Sequence, residues 1–274
     1  MSPDRNIQAE LRGELRVDAK EAADILKITP MVEKLRAVKQ SGIVDPDSLS
    51  RPLQQARFLC LWKIWQANEE VRRAVGQIDF DLADANTLLS ELTSKRQATI
   101  NMINTMNFMQ GGVLGVIKQS LGLQHDIPQP PKQEIAMTSF GTGTALALVT
   151  LLIPSYFSRK IDAPPNTLSQ ILNPGYAPSD ASQSYLWQFL TSTPEGSQLT
   201  RRQILTYHWR DFAGLKINDA TVVRKISSAP ESDEKLREGI RTVGQRIALL
   251  HDLKTHIEEF DGCLYELHQA VTFR

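Results

Sequence analysis

Apolar residues recur at alternating spacings of four and three in one central stretch of this chain, and this regularity constrains the fold more than any other sequence feature. Such spacing keeps one stripe of an α-helix facing a partner, as in a coiled coil. In a heptad frame the a positions are Val75, Leu82 and Leu89, and the d positions are Val71, Ile78, Ala85 and Leu92. Because Pro52 close after Ser50 is typical of a helix start, the pattern predicts a heptad helix over residues 50–96.

The last part of the chain repeats this design. Its apolar d row comprises Leu236, Val243, Leu250, Ile257, Leu264 and Val271. Its a row decays from Ile240 and Ile247 to Lys254, Asp261 and His268. Ser228 followed three residues later by Glu231 is a capping-box signature, which predicts a second heptad helix over residues 228–274.

The two heptad helices have two plausible arrangements, a supercoiled stalk or the amphipathic helices of an ordinary bundle. The residues expected to face each other are Leu82 and Leu89 on the first helix and Leu250 and Ile257 on the second. Trp62 and Trp65 lie beside the first stripe, and we expect them to cover its N-terminal end.

Two segments without charged residues lie between these helices, at residues 97–117 and 135–158. The second is long enough to cross a hydrocarbon core about 30 Å thick. Small residues four apart share a helix face and let two backbones approach closely. They are Gly111 and Gly115 in the first segment and Ser139, Gly143 and Ala147 in the second. The pattern predicts an apolar helical hairpin over residues 97–160, in which these two faces pack on each other.

This hairpin has two alternative environments, a lipid bilayer and the interior of a soluble bundle. The segment at 97–117 carries Asn101, Asn104 and Asn107, which favour a helix neighbour because an amide facing lipid is costly. Basic residues bias membrane segments toward the cytoplasm. They are Lys95, Arg96, Arg159 and Lys160 outside the hairpin, against Lys118 and Lys132 in its connection. If the hairpin crosses a bilayer, the count predicts cytoplasmic termini; the alternative is a cytoplasmic soluble protein.

The remaining regions read as helical segments separated by loops. Residues 1–49 form a mixed helical segment with a break at Pro30, because proline disfavours helix in the residue before it. Residues 161–227 are rich in proline and predict loops with two short helices, one over residues 185–190. The other starts at Thr200, where Gln203 completes a capping box.

Charge and cysteine content exclude several function classes. Lysine plus arginine and aspartate plus glutamate both number 31, so no positive field favours nucleic acid as a partner. The two cysteines, Cys60 and Cys263, have no spacing typical of a zinc site or a disulfide framework. We therefore expect each to be a small apolar residue on a helix.

No catalytic, cofactor-binding or metal-binding motif stands out. His251, His256 and Glu259 come closest to a metal site, but the two histidines are five residues apart and point to different helix faces. The arginines Arg201, Arg202 and Arg210 are interpreted as surface charges. We expect no cofactor and no enzymatic activity.

The order of parts suggests an all-α protein with long coiled-coil-type helices on either side of the apolar hairpin, plus a small loop-rich helical module. The leading hypothesis is a membrane-associated scaffold or tether that binds a lipid bilayer through its hairpin. A protein partner or self-association through the heptad helices is compatible with this role. The alternatives are an α-helical pore-forming protein with a conditionally inserted hairpin and a soluble helical-bundle interaction protein.

Overall fold

The computed structural model of the chain is mostly helical, with 81% of its interpretable residues in helices. It describes residues 15–41, 49–122, 158–160, 165–172, 184–211, 216, 219–228 and 237–272, and only the backbone at residues 103–122 and 159. The all-α fold class expected from the sequence is confirmed. The chain divides into two units. The first comprises Met1–Ala83, Ala163–Ala229 and Gln245–Arg274, and the second comprises Asp84–Asp162 and Pro230–Gly244.

Two helices, α1 (Val17–Ile25) and α2 (Thr29–Gln40), begin the described part of the first unit. The chain breaks between them as expected, since Pro30 lies in the first turn of α2, where its missing N–H is not needed. The connection turns through Lys27, whose φ of 56° is left-handed. One face of α1 is lined with buried alanines, which leave room for neighbouring helices to lie close.

The third helix, α3, runs without interruption over Arg51–Gly122. It begins where the sequence indicates, because the carbonyl of Ser50 accepts hydrogen bonds from the first-turn amides of Leu53 and Gln54. The helix continues past residue 96, where the heptad helix was expected to give way to the first apolar segment. The sequence contains neither glycine nor proline between Gly76 and Gly111, so nothing local stops the helix there.

Within the described part of the proline-rich region there are four short helices, two more than the sequence predicted. They are α4 (Leu168–Leu172), α5 (Tyr185–Thr191), α6 (Arg201–Asp211) and α7 (Ala220–Ile226). Side chains cap three of them. The hydroxyl of Ser184 accepts from the amide of Trp187, and the Asp219 carboxylate accepts from the first-turn amides of α7. At α6 the expected capping box forms, with Thr200 N donating to Gln203 Oε1 at 2.9 Å.

The last helix, α8, spans Ile240–Val271, so the expected start at Ser228 is wrong. Ser228 instead follows the end of α7 with a left-handed φ of 52°, a conformation that terminates a helix rather than starting one. Just before α8, in the second unit, β2 (Arg237–Gly239) pairs antiparallel with β1 (Ser158–Lys160). The strand register places Ser158 opposite Gly239.

The core of the first unit forms where α3, α8 and the short helices meet. Its largest fully buried side chains include Trp209, Phe189 and Phe260, and the last two stack with ring centroids 4.5 Å apart. The long helices α3 and α8 pack against each other. Lys254 Nζ of α8 donates to Asp79 Oδ1 of α3 at 2.8 Å at the edge of this contact.

Candidate functional site

The residues expected on the buried stripes of the two heptad helices are in part buried and in part only partly buried. Within the first unit, Ile78, Leu82, Leu250, Ile257 and Leu264 are buried and belong to one hydrophobic core. Val75 is only partly buried at its edge. In the second unit, Val243 is buried and Leu89 is partly buried. Leu88, the residue before Leu89, is buried instead.

The buried face of α3 is wider than its heptad stripe, because Leu88 is buried beside the d row. The d residues Val71, Ile78, Ala85 and Leu92 all stay buried, whereas on the a row Leu82 is buried and Val75 and Leu89 are partly buried. The buried face of α8 is likewise wider than a heptad seam, since Leu253, Phe260 and Leu267 are buried beside the d row. A face of that width is typical of a helix in a globular bundle.

Most of the residues expected in the hairpin contact lie outside the described residues. Gly111 and Gly115 lie on the helical backbone of α3. Ser139, Gly143 and Ala147 lie outside the described residues, as does almost all of the segment at 135–158. Among the residues that the structure describes, no helix is both long enough and apolar enough to span a membrane. The hairpin therefore stays a prediction.

A largely buried arginine forms a dense polar cluster among the described residues of the first unit. Arg201, at the start of α6, forms a bidentate pair with Glu21 of α1, its Nη1 and Nη2 lying 2.7 and 2.8 Å from the two carboxylate oxygens. Nη2 also donates to Asp18 at 3.0 Å and Nη1 to the hydroxyl of Ser192 at 2.8 Å. The guanidinium lies 4.1 Å from the ring centroid of Phe189. With its side chain only 10% exposed, Arg201 connects α1, α5 and α6.

The electrostatics of this cluster keep the arginine charged. Burial lowers the pKa of Arg201, but the hydrogen bonds that it donates to Glu21 and the charges of Glu21 and Asp18 outweigh this effect, so the pKa is raised overall. Two carboxylates, a hydroxyl and an aromatic face therefore occupy the donors and one face of the guanidinium. Such an arginine is suited to connecting helices rather than to binding an anionic ligand.

A cavity of about 400 Å³ opens beside this cluster, between α1, α5, α6 and α8. Its walls are formed by Arg16, Asp18, Phe189, Pro194, Arg201, Ile204, His256, Glu259, Gly262 and Cys263. At its edge, Arg16 Nε donates to Glu266 Oε2 at 2.6 Å. His256 Nδ1 lies 3.5 Å from Glu259 Oε1, so these two residues share a face of α8.

Two titratable groups of the cavity, Cys263 and His256, have raised pKa values. Burial raises the pKa of Cys263 to about 12, so its thiol is protonated near neutral pH and is a weak nucleophile. The hydrogen bond with Glu259 raises the pKa of His256, although burial opposes the shift. No group of three or more histidine, cysteine, aspartate or glutamate side chains suited to a metal ion occurs among the described residues. The cavity is therefore lined by both acidic and basic side chains.

A second surface feature is an exposed row of aromatic side chains on α3. Phe58, Trp62 and Trp65 are 71%, 47% and 52% exposed, and the two tryptophan rings stack with centroids 5.0 Å apart. Further along the helix, Phe80 is also exposed. Exposed aromatics that cluster on one helix face are typical of an interaction surface.

The exposure of several of these residues differs from that predicted from the sequence. The expectation that Trp62 and Trp65 cover the apolar stripe is wrong, because both rings are largely exposed to solvent. The interpretation of Arg201 and Arg202 as surface charges is also wrong. Arg202 Nε donates to the carbonyl of Ile171 at 2.8 Å, and burial lowers its pKa. One signal was available for the tryptophans, since they belong to their own row of residues spaced four and three apart.

The buried carboxylate of Asp81 was missed altogether. Its Oδ2 accepts from the amide and the hydroxyl of Thr167 at 2.7 and 2.6 Å, which fixes the start of α4 to α3. No local sequence pattern predicts a contact between residues 86 positions apart.

Comparison with known proteins adds no relative. No protein-family model, no curated protein and no solved structure matches this chain. The function is therefore inferred from the geometry alone.

Proposed function

We propose that this protein is a helical scaffold or tether whose apolar segments bind a lipid bilayer. The observation that carries the proposal is the continuity of α3. The buried side chains of Ile64 and Ile78 fix its first half in the core of the first unit. The same helix then continues without a break through the charge-free segment at 97–117. The charge-free segment at 135–158, which follows later in the chain, is long enough to cross a hydrocarbon core about 30 Å thick.

The proposed role is not catalytic. The guanidinium of Arg201 is committed to carboxylates, and the thiols of Cys60 and Cys263 are buried, with pKa values raised to about 11 and about 12. These features favour a structural use of the first unit. In the proposal it presents helix surfaces to protein partners, while the apolar segments hold the chain at a membrane.

Membrane fractionation followed by a carbonate wash tests this proposal. We expect the full-length chain to stay in the washed pellet. Ala147→Lys should release it, because a lysine at the centre of a membrane segment costs about 2.5–3.5 kcal/mol. The matched control is Thr93→Lys, which adds the same charge at an exposed position of α3 and should leave the protein in the pellet. Recovery of the parent protein in the carbonate supernatant would contradict the proposal.

The exposed aromatics on α3 favour a second candidate, a soluble helical interaction protein. In that case the segments at 97–117 and 135–158 pack inside a bundle, and the chain never enters the membrane pellet. A conditional pore-forming protein behaves differently again, because it is soluble until liposomes are added and then releases an encapsulated dye. The same preparation therefore separates all three functions.

A further inference from the structure

The exposed aromatics of α3 belong to a heptad-spaced stripe that is distinct from the buried one. Its members, here termed the outer face, are Phe58, Trp62, Trp65, Glu69, Arg72 and Gly76, at successive spacings of four and three. The stripe lies entirely in the first unit, and Asp79 and Ala83 continue it beyond Gly76 at spacings of three and four. A stripe with this period keeps facing a partner helix along its whole length.

We propose that the outer face binds the outer face of a second copy of this chain, with the two α3 helices antiparallel. A twofold pair uses the same patch on both copies, so the patch must be complementary to itself. The complementarity appears when the twofold axis passes between residues 70 and 71. Glu69 then lies opposite Arg72, and Trp65 lies opposite Gly76. Farther from the axis, Trp62 lies opposite Asp79 and Phe58 opposite Ala83, and each pair occurs twice.

Side-chain sizes match in this register. A Cβ added to Gly76 would meet nothing within 4 Å, so the space above this glycine is open. The ring of Trp65 from the second copy can occupy it. Phe58 likewise meets the small, exposed Ala83. Large residues opposite small ones allow two helices to interdigitate without voids.

Charges match as well. Within one copy, Glu69 and Arg72 form a loose exposed pair at 3.5 Å, with side chains 32% and 77% exposed. In the antiparallel pair each of these residues also faces its opposite charge on the second copy, next to the axis. Such complementarity fixes the register and direction of pairing.

The composition of the outer face favours a second copy over a lipid surface. A membrane-bound helix places apolar residues along the middle of its buried face. Here the middle holds the charged Glu69 and Arg72, with aromatics on one side and an open glycine on the other. Burial of the exposed parts of Phe58, Trp62 and Trp65 on both copies removes roughly 500–850 Å² from solvent, and the residues between them supply the rest of the contact.

Charge reversal in trans tests this pairing. Light scattering of the full-length chain, and co-purification of two differently tagged copies, should show a dimer for the parent. Glu69→Arg alone and Arg72→Glu alone should each weaken association by about tenfold or more, because like charges then meet near the axis. An equal mixture of the two variants should dimerise again. No change within one helix produces that recovery, since each variant chain carries two like charges at these positions.

A second variant separates self-pairing from lipid binding. Gly76→Leu should leave the monomer folded, because the site is open and leucine favours helix more than glycine does. It should nevertheless weaken dimerisation by about tenfold or more, since it fills the space for Trp65. The control Tyr265→Ala removes an exposed aromatic from α8 and should leave the dimer intact. The proposal is overturned if the parent is monomeric, if the mixed variants stay apart, or if Gly76→Leu strengthens binding to liposomes without affecting a dimer.

Discussion

Replacement of Arg201 by alanine should destabilise the first unit more than any other change of a charged residue described here. The side chain is 10% exposed and contacts Glu21 and Asp18, which are themselves only 20% and 26% exposed. Removal of one partner from a buried ion pair typically costs 3–5 kcal/mol, and the partial exposure of the carboxylates places the expected loss near 3 kcal/mol. For a unit of this size, that corresponds to a fall in melting temperature of roughly 6–12 °C.

Urea unfolding followed by circular dichroism measures this loss. Arg201→Lys keeps the charge but not the bidentate geometry, so it should recover only part of the stability. The matched control is Arg210→Ala, in the same helix, where solvent screens the exposed pair with Asp211 and the change should leave the unfolding midpoint nearly unaltered. In a double-mutant cycle, Arg201→Ala and Glu21→Ala should couple by about 1–3 kcal/mol. If Arg201→Ala unfolds like Arg210→Ala, or the cycle shows no coupling, the cluster does not stabilise the fold.

Four further outcomes follow from the same contacts. Leu82→Ala should cost about 2–5 kcal/mol because the side chain is buried, whereas Leu89→Ala should cost clearly less because that side chain is only partly buried; equal losses in urea unfolding would contradict this order. Asp81→Ala should cost about 1–3 kcal/mol by leaving donors at the start of α4 without their acceptor, and an unchanged unfolding midpoint would show that water replaces it. The His256→Gln variant should lose most stability, relative to the parent, at low pH. The folded-state pKa of His256 is raised, so the stabilisation that its protonated form provides is complete below the ordinary pKa near 6.5 and disappears as pH rises through the folded pKa. A pH series of melting temperatures for parent and variant checks that sign, and a larger gap at pH 8 than at pH 5.5 would reverse it. Cys263 should react with a thiol reagent only as fast as the first unit opens, since it is buried and its pKa is about 12; rapid labelling of the folded protein would contradict its burial.

Features encoded by neighbouring residues could be predicted from the sequence. The start of α6 follows from Thr200 and Gln203, which satisfy each other's backbone amides three residues apart. The start of α2 follows from Pro30, which lies in the first turn of that helix. The all-α class follows from apolar periodicity over long stretches, because each stretch needs one buried face whatever its partner is.

Features decided by distant residues could not be predicted. The helix α3 carries two heptad-spaced stripes, one through Ile78 and one through Trp65, and only the packing of the first unit determines which of them is buried. The role of Arg201 depends on carboxylates 180 and 183 positions earlier in the chain. Ser228 matches a capping signature in sequence, but the end of α7 uses that residue to leave a helix.

The central proposal, a tether held at a bilayer by an apolar hairpin, is tested most directly by labelling single cysteines with a membrane-impermeant thiol reagent on intact cells. The two positions are Gln129→Cys, between the apolar segments, and Gln269→Cys, on the exposed side of α8, each in a chain with Cys60 and Cys263 replaced. Reaction at position 129 alone is the predicted result, because the basic residues outside the hairpin favour cytoplasmic termini. Reaction at position 269 alone would contradict that orientation. Labelling of both positions in an aqueous extract, with no protein in the membranes, would contradict the tether itself.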